Sequence, residues 1–184
     1  MASTGAEGLG IGGTMRLTWV TDHLAHVIGT STAGGTGTAW ETSGTWTGLA
    51  GPDHGLPIGT DVDNTTLLRL AGDGEIADLV WEAPPEFTAD HGQLLVAALQ
   101  AHESGRAEEG ERLWQQMAAL WSRAWSTNYQ VLELMQKAGL PRFSPVKPQR
   151  WVIASFEHHT SPHGLPHPHI HNIVIPALTA AASG

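Results

Sequence analysis

The sequence contains no cysteine. That excludes a disulfide framework, a thiolate metal site and a cysteine nucleophile, so any transition metal must be held by histidine, aspartate or glutamate. Positive charge is scarce as well: 9 Lys and Arg stand against 18 Asp and Glu, a formal net charge of -9. No segment clusters basic residues, which counts against broad electrostatic binding of nucleic acid, because phosphate contacts supply most of that affinity. A local site stays open, since a bound divalent cation adds positive charge where an anionic substrate reacts. The apolar runs fall short of the roughly 18 to 20 residues that span a bilayer, and no basic segment precedes an apolar stretch at the N-terminus. The chain reads as soluble and cytoplasmic, with no membrane partner. Tyrosine is nearly absent too, Tyr129 being the only one.

What is present fits one α+β domain. The 184 residues, 41% of them hydrophobic, are enough to bury a sizeable core. Residues 1–14 (MASTGAEGLGIGGT) are small, Gly-rich and without period, which predicts a disordered leader, with a single domain over 15–184. In "MRLTWVTDHLAHVIG" the apolar residues Leu17, Val20, Leu24, Val27 and Ile28 are spaced more like a helix than a strand. From Gly29 to Gly59 the sequence is dense in Gly, Thr and Ser, which predicts loops with at most short strands.

Further along, "DVDNTTLLRLAGDGE" predicts a short helix capped by Asp63 or Asn64, and "IADLVWEAP" a strand stopped by Pro84 and Pro85. In that strand Ala77, Leu79 and Trp81 face one way, and Asp78, Val80 and Glu82 the other. A helix is expected from Thr88 as N-cap, then a longer one from about Glu108 to Lys137. Its stripe of Trp114, Met117, Trp121, Trp125, Leu132 and Met135 has the spacing of core packing. After a Pro-interrupted linker (LPRFSPVKP), "QRWVIASFE" and "HIHNIVI" read as two strands. The whole implies an antiparallel sheet, carrying a His-hydrophobic-His strand, packed against helices on one face.

Six of the 11 histidines fall between His158 and His171. Strand alternation puts His169, His171, Ile173 and Ile175 on one face and Ile170, Asn172 and Val174 on the other. His158 ends the preceding strand, and the connection could return the chain so that it lies beside them. Three convergent imidazoles leave positions open on a divalent cation, the layout of a reactive site and not of a closed structural one. The plain alternative is a solvated loop with one or two hydrogen-bonded strand histidines. His159, His163 and His167 read as loop residues.

The stretch "FEHHTSPHGLPHPHIH" resembles the metal segment of the MobF-type conjugative relaxases of the HUH endonuclease superfamily, F-x-H-x-T-S-R-x-x-D-P-x-L-H-T-H. Phe156, His158, Thr160, Ser161 and Pro166 match without a gap, and the final pair falls on His169 and His171. "DLVWEAPPE" is similar to the family's D-L-T-F-S-A-P-K-S strand. The resemblance implies that His158, His169 and His171 ligate a divalent ion, Mg²⁺ or Mn²⁺ with Zn²⁺ a further option. It implies that Asp78 orients a ligating histidine or assists the nucleophile. It further implies metal-dependent nicking and strand transfer on single-stranded DNA at a transfer origin, in plasmid mobilisation, alongside other relaxosome proteins.

The chain also departs from the family. The family's N-terminal nucleophilic tyrosine has no counterpart in "LTWVTDHLAHV", which leaves Tyr129, on the long helix's apolar stripe, or water. Pro85, Glu86, Pro162 and Leu165 replace the family's Lys, Ser, Arg and Asp. The sequence stops thirteen residues after His171, where the nicking domain usually continues, so the resemblance is to a degenerate or truncated form. Two other readings stay open: an inactive metal- or DNA-binding accessory module on the same scaffold, and a histidine-triad nucleotide hydrolase using His167, His169 and His171.

Overall fold

The computed structural model describes residues 12–20, 44–72, 76–138, 151–161 and 165–176. Strands β1 (Thr14–Val20) and β2 (Thr45–Trp46) are followed by a 3-10 turn (Gly51–His54) and helix α1 (Asn64–Ala71). Then come β3 (Ile76–Glu82), helices α2 (Pro85–Glu103) and α3 (Ala107–Ala138), and strands β4 (Trp151–Thr160) and β5 (Pro166–Pro176). The five strands form one antiparallel sheet in the order β1-β3-β5-β4-β2, so the His-Ile-His strand is central.

Alternation sorts the sheet into two faces. Trp81 and Ile170 meet Phe87, Leu95, Met117 and Trp121 from the α2–α3 pair. Ala77, Leu79, Ile153 and Val174 meet Leu132 further along α3. On the opposite face Val152, Ala154, Phe156, Ile173 and Ile175 pack under Trp46 and under Leu67 and Ala71 of α1. Strand β4 is thus covered on both sides, which is why "WVIASF" is an apolar run without alternation. Each such aliphatic or aromatic side chain contributes about 1.5–3 kcal/mol on burial.

One polar lock crosses the helix face. Asn172, fully buried on β5, exchanges two hydrogen bonds of 2.9 Å with Asn128 of α3, donates to the Leu79 carbonyl at 2.8 Å and accepts from the Ser155 hydroxyl at 2.7 Å. The long helix is thereby fixed in register behind the strand that carries His171.

Three local expectations need correction. Residues 15–20 form a strand, not the start of a helix: Met15 and Leu17 alternate with Arg16 and Thr18, and Thr14 to Val20 pair with Glu82 to Ile76. The remainder of that stretch, 21–29, lies outside the described residues, as do the leader up to residue 11 and the 140–148 linker. Helix α2 begins at Pro85, with Pro84 as N-cap, and not after Thr88. A proline that ends a strand suits the first helical turn equally well, because its missing N–H has no partner there anyway. Finally, β4 runs through His159 to Thr160, which pairs with Pro166 at the start of β5, so His159 and His167 are both strand residues and not loop residues. Elsewhere the Asp63 carboxylate caps α1, accepting from the Thr66 N–H at 2.8 Å, and hydrogen bonding first to the Thr66 side chain and then to this N–H holds its pKa below the ordinary value.

Candidate metal centre

His158 and His169 are direct partners across β4 and β5, and His171 sits opposite Phe156, one pleat further on. Partners in an antiparallel ladder project to the same side. The three imidazoles therefore converge away from α2 and α3, and one nitrogen from each lies within 4.8 Å of the others. Ring centroids are 4.9 to 5.1 Å apart. All three are buried.

Two of the rings are oriented by their Nδ1 atoms. The Nδ1–H of His171 donates to Asp78 Oδ2 at 2.7 Å, and the Nδ1–H of His169 donates to the His167 carbonyl at 2.6 Å. Both therefore present Nε2 with its lone pair, the tautomer a metal ligand requires. Asp78 comes from β3, opposite Ile173, on the triad's face and buried. Burial lowers the pKa of His169 from 6.5 to about 4, opposed by its bond to the His167 carbonyl, so the ring is neutral at ordinary pH. The donor set fits a divalent ion: three imidazole nitrogens, a carboxylate behind one of them, and no thiolate.

The other candidates lie elsewhere. Tyr129 is half-buried on α3, its ring 5.6 Å from that of Trp125, and burial raises its pKa. Since α3 packs on the reverse face of the sheet, the structure does not bring Tyr129 to the triad. His167 is exposed beside His169, and His163 lies outside the described residues.

His159 points to the helix face, where Trp121 Nε1–H (3.2 Å) and His91 Nε2–H (2.8 Å) donate to its Nδ1, and its own Nε2–H donates to Glu157 at 2.7 Å. His91 is fully buried and its pKa falls to about 4, chiefly by burial and then by proximity to His159. This group is not legible in the sequence, because nothing in "ADHGQLL" marks His91 as a partner of a strand 68 residues away.

No family model and no curated protein sequence matches the chain. The sheet, its helix pair and the central His-Ile-His strand define an α+β fold. Solved structures sharing it include those of the conjugative relaxase TrwC. A metal-bound complex with oriT DNA aligns at a TM-score of 0.55 and 17% identity, covering 88% of this chain and 56% of that one. A metal-free complex with oriT DNA gives 0.53 and 16%, covering 88% and 56%. A complex with a 27-mer comprising the recognition hairpin and cleavage site gives 0.52 and 16%, covering 88% and 55%. The chain thus spans little more than half of each relaxase structure. No helix among the described residues is long and apolar enough to cross a membrane.

Proposed function

We propose that this chain acts on single-stranded DNA as a metal-dependent, relaxase-like nicking domain, with His158, His169 and His171 as the ligands. The observation that carries this reading is the buried three-histidine cluster backed by Asp78, on a fold shared with a DNA-bound relaxase. A divalent ion held there supplies Lewis acidity to a scissile phosphodiester and offsets charge that develops on its oxygens. Asp78 fixes the tautomer and tilt of His171. The His167 carbonyl does the same for His169. The ion would be Mg²⁺, Mn²⁺ or Zn²⁺, and the setting a transfer origin with other relaxosome proteins.

Water, and not Tyr129, is the proposed nucleophile. The chain's only tyrosine belongs to the helix layer, across the sheet from the histidines. Attack by water would leave free ends and no protein–DNA adduct. Incubation of end-labelled single strands of many sequences with Mg²⁺, Mn²⁺ or Zn²⁺ tests this. We expect cleavage abolished by a chelator and by His169→Ala or His171→Ala, without a covalent adduct. An adduct lost in Tyr129→Phe would restore the tyrosine as nucleophile.

The same position of Tyr129 favours a second reading, an accessory module that binds metal or DNA without chemistry. Metal binding lost in His171→Ala, with no cleavage by the wild-type protein, would select it. Cleavage of nucleotides that survives the chelator would instead favour the histidine-triad hydrolase.

A further inference from the structure

Strand register places one ion pair on the triad's face. Two rows of paired residues cross the sheet there: Thr14, Glu82, His169 and His158 in one, and Arg16, Val80, His171 and Phe156 in the next. Glu82 therefore flanks His169 directly, and Arg16 stands two strand spacings, about 10 Å, from His171. Arg16 Nη2 meets Glu82 Oε1 at 3.3 Å, with side chains 62% and 34% exposed. Among the described residues Arg16 is the only Lys or Arg on any strand. Of the other basic residues described, Arg106 precedes α3 and Arg112, Arg123 and Lys137 belong to it, behind the sheet, while Arg69 is on α1, which packs over Phe156, Ile173 and Ile175.

A single strand of DNA brings several phosphates to a chain of net charge -9, so a substrate over the triad needs positive charge on that face. A guanidinium fork suits a phosphate oxygen pair, and an ion pair this exposed holds weakly. Resting on the DNA reading above, we propose that Arg16 holds the phosphate neighbouring the one that reacts, and that Glu82 is its resting partner, displaced when DNA arrives. Glu82 keeps the guanidinium extended along the triad's face while no DNA is bound. Arg16 is then a positioning residue for the substrate and not a member of the reacting group.

Fluorescence anisotropy of labelled single strands of several sequences, with Mg²⁺ and over a KCl series, reads this out. Arg16→Ala should weaken all sequences alike by several-fold and reduce the slope of log affinity against log salt by about 0.7, the value of one phosphate contact on a single strand. Arg16→Lys should keep the slope and recover part of the affinity. Glu82→Gln should tighten binding, and Arg112→Ala, on the reverse layer, should change nothing. An unchanged slope in Arg16→Ala, an equal loss in Arg112→Ala, or weaker binding in Glu82→Gln would each overturn the proposal. If the wild-type protein binds no single strand, the DNA reading falls with it. If it binds and cuts while Arg16→Ala keeps its slope, only this proposal falls.

Discussion

At the scale of single residues, the triad is organised by what stands behind it. The 2.7 Å bond from His171 to Asp78 sets which nitrogen faces the space shared with His158 and His169. Asp78→Asn keeps the shape and removes the charge, and its amide can present an N–H where the carboxylate accepted. We expect metal affinity to fall by about 10- to 100-fold, measured by calorimetric titration with Mn²⁺ or Zn²⁺. Unchanged affinity in this variant would rule out an orienting role. The His169–His167 contact is to a backbone carbonyl, so no substitution at residue 167 is expected to reproduce the effect.

At the scale of elements, much of this site is legible in the sequence. Alternation in "HIHNIVI" alone puts His169 and His171 on one face, and the same rule in "IADLVWE" puts Asp78 on the face opposite Leu79. The pairing of those strands is not legible, because β3 and β5 are about 90 residues apart and only the fold brings Asp78 to His171, with |i−j| of 93. Strand β1 misleads in the other direction: its apolar residues join those that follow into a helix-like spacing, while its true partner, β3, lies some 60 residues downstream. Asn172 carries a faint signal, a lone amide on an otherwise apolar strand face, and α3 answers it with Asn128. Replacing Asn128 by Leu would leave one amide hydrogen of Asn172 buried without a partner, at about 1–3 kcal/mol, while its oxygen keeps the Ser155 hydroxyl and its nitrogen the Leu79 carbonyl. The midpoint of urea unfolding should drop accordingly, and metal affinity should drop with it if the lock sets the strand's position. A variant as stable as wild type would show that the amide pair does not secure α3 to β5.

At the scale of the whole molecule, two buried histidines on opposite faces of one sheet tie stability to pH. His169 and His91 titrate near 4 in the folded chain against 6.5 for an ordinary imidazole. Between those values the unfolded chain binds more protons than the folded one, so stability rises with pH across the window. The contribution is fully present above about 6.5 and is lost as pH falls towards 4. The slope reaches up to about 1.4 kcal/mol per pH unit for each group. Asp63 adds a dependence of the same sign but at lower pH, below its ordinary value of 3.8, so the histidine window can be read by itself. Unfolding in urea, followed with a chelator present at several pH values between 4.5 and 7, should show the slope. His91→Phe should remove about half of it, since Phe fits the stack on Phe87 and Trp121 still donates to His159. A wild-type protein equally stable at both ends of that range would mean that both imidazoles accept a proton without unfolding, and that the helix layer and the triad's face are open to water.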